Sequence, residues 1–269
     1  MSKKRTRRQR MMPLIPSLMT TGNLFFGLLS IMTSIQIVSM ISNELVTTEE
    51  IYRKYWWAAA FIGISAFLDM LDGRIARMIS SESDFGIEYD SLSDLVSFGV
   101  APAVLIYSWC LMNSGKLGLM VVLFYVVCTA LRLARFNVQS DGVERFKFTG
   151  LPSPMAAGVI ASPILFFAEI RLEPTDIAMW SYLFVTPFIG LLMVSDVPYW
   201  KFPRNIRRPF NALVVLSIIA AAIITNPEVM ILLIAYVYAL SGFVLYLYKL
   251  ARRGHKLKEH REKQRSVFL

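Results

Sequence analysis

The chain has 269 residues and carries 28 Lys and Arg against 19 Asp and Glu, a formal net charge of +9. Hydrophobic residues make up 55% of the sequence and charged residues 17%, well below the ~25% charged residues of a typical soluble domain. This composition excludes an ordinary soluble globular protein. Long apolar runs leave no stretch for a separate soluble domain, so the sequence predicts an all-α polytopic membrane protein.

Eight apolar segments are candidates for transmembrane helices, and clusters of Pro, Gly and charged residues separate them. The predicted spans are 18–41, 54–80, 90–112, 116–136, 154–171, 177–196, 209–225 and 228–250. Residues 1–17 then form a basic tail with an interfacial segment, 18–250 the membrane domain, and 251–269 a second basic tail. The first apolar run is too long for the core of a signal peptide, so we expect it to remain as the first span.

Positive charges are distributed unevenly between the two sides of this predicted topology. If the N-terminus lies inside, 24 of the 28 Lys and Arg fall on the inner segments. Cytoplasmic segments of membrane proteins carry such an excess. We therefore expect a multi-pass protein of the cytoplasmic membrane with both termini in the cytoplasm. Beside hydrophobic spans, the basic tails are expected to attract anionic lipid head groups, and nucleic acid is not expected as a partner.

Four acidic residues lie at the predicted inner ends of the second and third spans. Asp69 and Asp72 are three residues apart, and Asp90 and Asp94 are four apart, so each pair shares one face of its helix. A carboxylate at the middle of a span costs about 2.5–3.5 kcal/mol, and the two nearby arginines do not neutralise four anions. One or two divalent cations would compensate these charges. Ligation by oxygen alone favours Mg²⁺ or Mn²⁺.

Small and basic residues around the four acids suit a phosphorylated substrate. Gly73 and Ala76 leave room for a bulky ligand, Arg77 offers a planar fork for a diphosphate, and Gly86 opens the third helix. Mg²⁺ commonly shares its coordination sphere with substrate phosphates. The pattern therefore indicates a phosphate-handling active site at the cytoplasmic ends of the second and third helices.

Two other interpretations of the acids are open at this point. Intramembrane aspartates often hydrogen-bond neighbouring helices without any further role. Intramembrane carboxylates also line the ion paths of cation transporters and channels. An ion path should carry polar groups toward the outer face as well, whereas these acids all lie near the inner side.

The acids and their neighbours form one motif with fixed gaps. Its fixed positions are Asp69, Asp72, Gly73, Ala76, Arg77, Gly86, Asp90 and Asp94. The motif resembles the signature of the CDP-alcohol phosphotransferase family at every fixed position. This resemblance implies a binuclear metal site, a CDP-linked donor, transfer of its substituted phosphoryl group to an alcohol with release of CMP, and assembly as a homodimer.

Further segments resemble the phosphatidylserine synthase branch of that family. They are residues 15–20 with Asn23 and Gly27, then 90–103, 131–137 and 150–154. The resemblance implies CDP-diacylglycerol and L-serine as substrates, and phosphatidylserine and CMP as products. The same chemistry with another acceptor, such as glycerol 3-phosphate or inositol phosphate, is the closest alternative.

The resemblance also implies a role for each residue of the site. Asp69, Asp72 and Asp90 would hold two Mg²⁺ or Mn²⁺ ions, and Asp94 would complete the second metal site and take the proton from the serine hydroxyl. The residues assigned to the donor and its nucleotide are Thr20, Asn23, Asp72, Gly73, Ala76, Arg77 and Gly86.

Two further basic residues are candidates for binding serine or phosphate. Arg132 and Arg135 lie three residues apart near the inner end of the fourth predicted span. They would bind the carboxylate of serine or the phosphate of the donor. The alternative is that they are ordinary positive charge on the cytoplasmic side.

Overall fold

The computed structural model describes residues 14–41, 46–79, 84–140, 150–197, 199, 225–242 and 244, without the side chains of 14–17, 76–79, 84 and 139–140. These residues are helical apart from short connections, which confirms the predicted all-α class for the described part of the chain. The α-helices are α1 (Leu14–Ile41), α2 (Thr48–Ile79), α3 (Asp84–Asp94), α4 (Ala101–Ile106), α5 (Lys116–Ser140), α6 (Ser153–Glu169), α7 (Asp176–Val194) and α8 (Pro227–Gly242).

Four helical segments in the described residues are long and apolar enough to cross a membrane. They are Leu18–Ile41, Phe85–Ser114, Lys116–Val138 and Asp176–Val194. Two shorter apolar helices, α6 and α8, accompany them. This is the architecture of a polytopic membrane protein. The predicted span 209–225 lies outside the described residues except for its last one, and the span 228–250 is described only in its first part.

Local sequence explains where several helices begin. Glu49 and Glu50 occupy the first turn of α2, where negative charge is favourable beside the helix dipole. The Thr175 hydroxyl caps α7 by accepting a hydrogen bond from the Ala178 N–H at 3.3 Å. Pro154 lies in the first turn of α6, where its missing N–H removes no helical hydrogen bond. Because α2 starts with this polar turn, it begins six residues before the predicted apolar span.

The segment from the end of α3 to Ser114 is helical throughout but contains two wider turns. Leu95–Val100 and Tyr107–Leu111 are π-helical, and Met112–Ser114 forms a 3-10 turn. The first π-helical turn begins directly after Asp94. π-helical turns inside longer helices often mark functional sites, since the extra residue changes which side chains face a neighbouring helix.

A proline and a buried tyrosine explain the first π-helical turn. Pro102 has no N–H to donate to the Phe98 carbonyl, which lies four residues earlier. The Tyr125 hydroxyl of α5 donates to this carbonyl instead, at 2.8 Å, and Tyr125 is fully buried. At the second π-helical turn, the Tyr55 hydroxyl of α2 donates to the Ser108 carbonyl at 2.8 Å. Both turns are thus fixed by neighbouring helices.

Helix α1 packs along α2, α5 packs against α7, and α2 packs against α6. Large apolar side chains such as Phe98, Leu105, Ile160 and Ile164 are fully buried between them. Helices in membranes associate through close packing and interhelical hydrogen bonds, because lipid is as apolar as the core. This packing brings the carboxyl-terminal part of α2 next to α3 and the start of α1.

Candidate metal centre and active site

Three carboxylates from two helices meet at one point. Asp69 and Asp72 lie on α2, and Asp90 lies on α3. One carboxylate oxygen of each lies within 4.8 Å of the other two. The i, i+3 spacing places the first pair on one helical face, and the packing of α3 brings the third carboxylate to it. The structure therefore assembles residues that are up to 21 positions apart in the sequence.

Asp94 stands beside this group of three, one turn beyond Asp90. It is 8% exposed and is the last residue of α3. The Asn23 side chain of α1 donates from Nδ2 to Asp94 Oδ1 at 3.1 Å. Asp94 lies close enough to Asp69 and Asp90 for their charges to interact. All four predicted acids consequently belong to one electrostatic cluster.

Hydrogen bonds satisfy only part of the cluster. Asp72, 5% exposed, accepts from the Thr20 hydroxyl at 3.0 Å and from the Gly73 N–H. Asp90 Oδ1 is buried and has no hydrogen-bond donor among the described residues. A buried carboxylate oxygen without a partner is costly. A divalent cation among the three carboxylates would satisfy it, and a donor set made only of oxygen fits Mg²⁺ or Mn²⁺.

Arg132 is the predicted basic residue that lies near the cluster. It is partly buried on α5, within electrostatic reach of Asp69 and Asp94. Its Nη1 donates to Ser153 Oγ at 2.7 Å, and Ser153 is the fully buried first residue of α6. A single guanidinium does not neutralise four carboxylates, so it does not replace a metal ion.

Arg135, one turn further along α5, has different partners. Its guanidinium forms an ion pair with Asp196 and donates to the Val194 carbonyl at 3.1 Å. The Gly150 N–H donates to the Val197 carbonyl at 2.9 Å in the same region. The last carbonyl groups of a helix have no partner within it. Here Arg135 donates to the carbonyl of Val194, the last residue of α7, and the Gly150 N–H donates to the carbonyl of Val197 beyond it. The structure thus separates the two arginines that the sequence grouped together.

The remaining residues predicted to bind the donor lie next to the carboxylates along the chain. Gly86 lies one turn before Asp90 on α3, within the helix rather than ahead of it. Gly73 directly follows Asp72. Ala76 and Arg77 lie in the last turns of α2, and their side chains are outside the described set.

Sequence reasoning missed three serines that the structure places at the site. The hydroxyls of Ser65 and Ser97 both donate to the backbone carbonyl of Asn23, each at 3.0 Å. Ser153 holds Arg132, as described above. Their positions gave a signal, because Ser65 precedes Asp69 by one turn and Ser97 follows Asp94 by three residues. That signal is weak without knowledge of which helices pack together.

Comparison with known sequences identifies the family. The sequence model of CDP-alcohol phosphatidyltransferases matches residues 13–188, which include the four carboxylates and both arginines. The chain belongs to the CDP-alcohol phosphatidyltransferase family. The resemblance inferred from the motif is therefore confirmed.

This CDP-alcohol phosphatidyltransferase is similar to several curated CDP-diacylglycerol–serine O-phosphatidyltransferases. It is 34% identical to that of Mycobacterium leprae over 249 residues, which cover 88% of this chain and 76% of the relative. It is 37% identical to that of Bacillus subtilis over 191 residues, covering 71% and 92%. It is 28% identical to that of Helicobacter pylori over 239 residues, covering 89% and 93%.

Proposed function

We propose that this CDP-alcohol phosphatidyltransferase transfers the phosphatidyl group of CDP-diacylglycerol to the hydroxyl of L-serine, giving phosphatidylserine and CMP in phospholipid biosynthesis. The observation that carries this proposal is the meeting of Asp69, Asp72 and Asp90 within 4.8 Å. Such a cluster suits metal-assisted chemistry on a diphosphate. The choice of serine as acceptor is supported by the names of the similar enzymes.

The cluster is proposed to hold two divalent ions, Mg²⁺ or Mn²⁺. Asp69, Asp72 and Asp90 would hold the metal, and Asp94 would complete the second site. When bound, the ions would supply positive charge that offsets the negative charge of the diphosphate and of the departing CMP. Asp90 Oδ1, which has no hydrogen-bond donor among the described residues, supports this assignment.

Asp94 is proposed as the general base. It takes the proton of the serine hydroxyl while the serine oxygen forms a bond to the phosphorus of the phosphatidyl group. The bond from that phosphorus to the oxygen of CMP breaks in the same transfer. Asn23 donates a hydrogen bond to Oδ1 of Asp94, which orients the carboxylate.

The donor and the acceptor would use different neighbours of the carboxylates. We assign the nucleotide and diphosphate side to Thr20, Asn23, Asp72, Gly73, Ala76, Arg77 and Gly86. We assign the serine carboxylate to Arg132, because this guanidinium lies near Asp69 and Asp94 while Arg135 is paired with Asp196.

An apolar cleft between α2, α6 and α8 is proposed to take one acyl chain of the donor. The cleft has a volume of about 520 Å³. Phe67 and Pro154 form the part nearest to Asp69, and Gly63 and Gly158 lie further along it. An apolar lining suits hydrocarbon. Phe67 lies two residues before Asp69 along α2, which places it on another face of that helix from the carboxylates. An acyl chain in this cleft would lie beside α2, on another face of the helix from the carboxylates.

The proposed topology follows from the charge distribution. We propose eight spans in the cytoplasmic membrane, with 1–17 as a basic tail and interfacial segment, 18–250 as the membrane domain, 251–269 as a second basic tail and both termini in the cytoplasm. The active site then faces the cytoplasm, where serine enters. This is supported by the placement of 24 of the 28 Lys and Arg on the inner segments. Assembly as a homodimer is proposed from the family resemblance alone.

An acceptor assay tests the proposed reaction. The purified protein is incubated with CDP-diacylglycerol and Mn²⁺ or Mg²⁺, together with serine, glycerol 3-phosphate or inositol phosphate in separate reactions, and CMP is measured. We expect CMP release with serine and background release with the other two acceptors. Release with another acceptor but not with serine would contradict the choice of acceptor. Metal-dependent ion flux in vesicles without any CMP release would favour a cation transporter.

A further inference from the structure

Asn23 joins three helical elements at one residue. Its backbone carbonyl accepts the Ser65 hydroxyl of α2 and the Ser97 hydroxyl of the π-helical turn Leu95–Val100, each at 3.0 Å. Its side chain donates to Asp94 at the end of α3. Asn23, Ser65 and Ser97 are each fully buried. We call the two serine hydroxyls and the Asn23 carbonyl the serine clamp.

We propose that Ser65 and Ser97 are positioning residues, and that the serine clamp holds α1, α2 and α3 at the spacing that the metal-binding carboxylates require. This inference rests on the proposed function, because it concerns the same metal centre. It goes beyond the carboxylates themselves by assigning a role to two neutral side chains whose hydroxyls donate to a backbone carbonyl.

The clamp lies about one turn from the carboxylates, both along α2 and along the π-helical turn that follows α3. Ser65 is one turn before Asp69 on the same face of α2, and Ser97 follows Asp94 by three residues. The carboxylates on α2 and α3 repel each other when no cation lies between them. Without a link between the helices, this repulsion would increase the distance between Asp69 and Asp90. Two hydroxyls on one carbonyl oppose that movement about one turn from the carboxylates.

Close packing around Ser97 shows that the π-helical turn and α1 lie very near each other. Gly27 follows Asn23 by one turn on α1, and a Cβ atom at Gly27 would collide with the side chain and Cα of Ser97. The π-helical turn therefore approaches α1 as closely as a glycine permits. A side chain at position 27 would push the turn, and with it Asp94, away from α1.

The chain offers a matched control for the clamp. The Ser30 hydroxyl of α1 donates to the Ala58 carbonyl of α2 at 2.8 Å, and Ser30 is fully buried. This bond has the same chemistry and joins the same two helices, but it lies seven residues from Asn23 and from Ser65, further from the carboxylates. If the clamp only strengthened helix packing, loss of the Ser30 bond and loss of the clamp bonds would change Mn²⁺ binding to a similar extent.

Equilibrium binding of Mn²⁺ to the purified full-length protein in detergent, without substrate, tests the proposal. Free Mn²⁺ is followed by electron paramagnetic resonance. We expect the double variant Ser65→Ala/Ser97→Ala to bind Mn²⁺ about 10-fold more weakly, as is typical when the supports of metal ligands are removed. Ser30→Ala should bind as the parent protein does. Parent-like affinity of the double variant, or equal weakening by Ser30→Ala, would overturn the proposal.

The single variants decide the question if the double variant does not fold. Each should bind Mn²⁺ more weakly than Ser30→Ala, and parent-like binding by both would overturn the clamp. The outcome is separable from that of the acceptor assay. A parent protein that binds Mn²⁺ but releases no CMP with serine refutes the proposed acceptor alone, whereas a parent protein that binds no Mn²⁺ overturns both the metal centre and the clamp.

Discussion

Arg132 of α5 is tied to the first residue of α6, because its Nη1 donates to Ser153 Oγ at 2.7 Å. Arg135, one turn further along the same helix, is instead paired with Asp196 beyond the end of α7. Of the two, it is Arg132 whose charge interacts with Asp69 and Asp94. Two arginines that share a helical face thus serve different parts of the molecule.

The first prediction concerns the acceptor. Arg132→Gln should raise the KM for serine by about 10- to 100-fold, which corresponds to the ~1.5–3 kcal/mol of a hydrogen bond to a charged group. Initial rates of CMP release at varied serine concentration measure this change. Arg135→Gln is the matched control and should leave the KM for serine unchanged. The reverse pattern would transfer the role to Arg135.

The second prediction concerns the proposed base. Asp94→Asn keeps an oxygen that can accept from Asn23 but cannot take a proton, so transfer should fall by about 100-fold or more. The variant should still elute as a folded protein and should still bind Mn²⁺ through Asp69, Asp72 and Asp90. Asp176→Asn, at an exposed acid in the first turn of α7, is the control and should retain activity. Substantial transfer by Asp94→Asn would remove Asp94 as the base.

The third prediction concerns the π-helical turn behind Asp94. Tyr125→Phe leaves the Phe98 carbonyl without its donor, which should lower the stability by about 1–3 kcal/mol and reduce transfer as well. Tyr55→Phe removes the same kind of bond from the distant second π-helical turn and should lower stability with little effect on transfer per folded molecule. Thermal unfolding in detergent and CMP release are measured together. Equal losses of transfer in both variants would show that the first turn has no special relation to the site.

Sequence alone predicted the all-α class and the faces that the acids share within each helix, because both depend on short-range spacing; the meeting of Asp90 with Asp69 and Asp72 depends on helix packing. Apolar runs mark the membrane helices, and the gaps among Asp69, Asp72, Asp90 and Asp94 fix the faces that they share. The π-helical turns were not predicted, since they depend on the hydroxyls of Tyr125, 27 residues after Phe98, and of Tyr55, 53 residues before Ser108.

Three other features needed the packing of the helices. The partners of the two arginines lie on α6 and beyond α7, and the partner of Ser65 lies on α1. Residues 14–17, predicted to lie in a separate interfacial segment, continue α1 in the structure, because no helix breaker separates them from residue 18 once Pro16 is placed in the first turn. The contacts of Arg132, Arg135 and Ser65 join residues far apart in the sequence, which short-range patterns do not reveal.

The fourth prediction concerns the acyl chain. Gly63→Leu fills the apolar cleft, and a Cβ atom at this position meets no atom within 4 Å, so the fold should tolerate it. The helix itself gains, since leucine favours a helix over glycine. We expect transfer from a long-chain CDP-diacylglycerol to fall more than transfer from a short-chain one. Val127→Leu, on an exposed face of α5, should change neither rate. If Gly63→Leu transferred from both donors at the rates of the parent protein, the acyl chain would lie outside this cleft.

Metal removal tests the central claim most directly, namely that Asp69, Asp72 and Asp90 together hold divalent ions on which transfer depends. The protein is treated with a chelator, and CMP release from CDP-diacylglycerol and serine is measured before and after Mn²⁺ or Mg²⁺ is returned. Our account predicts background release after chelation, full recovery on return of the metal, and no recovery for Asp90→Asn. Undiminished transfer by the chelated protein, or full recovery by Asp90→Asn, would contradict it.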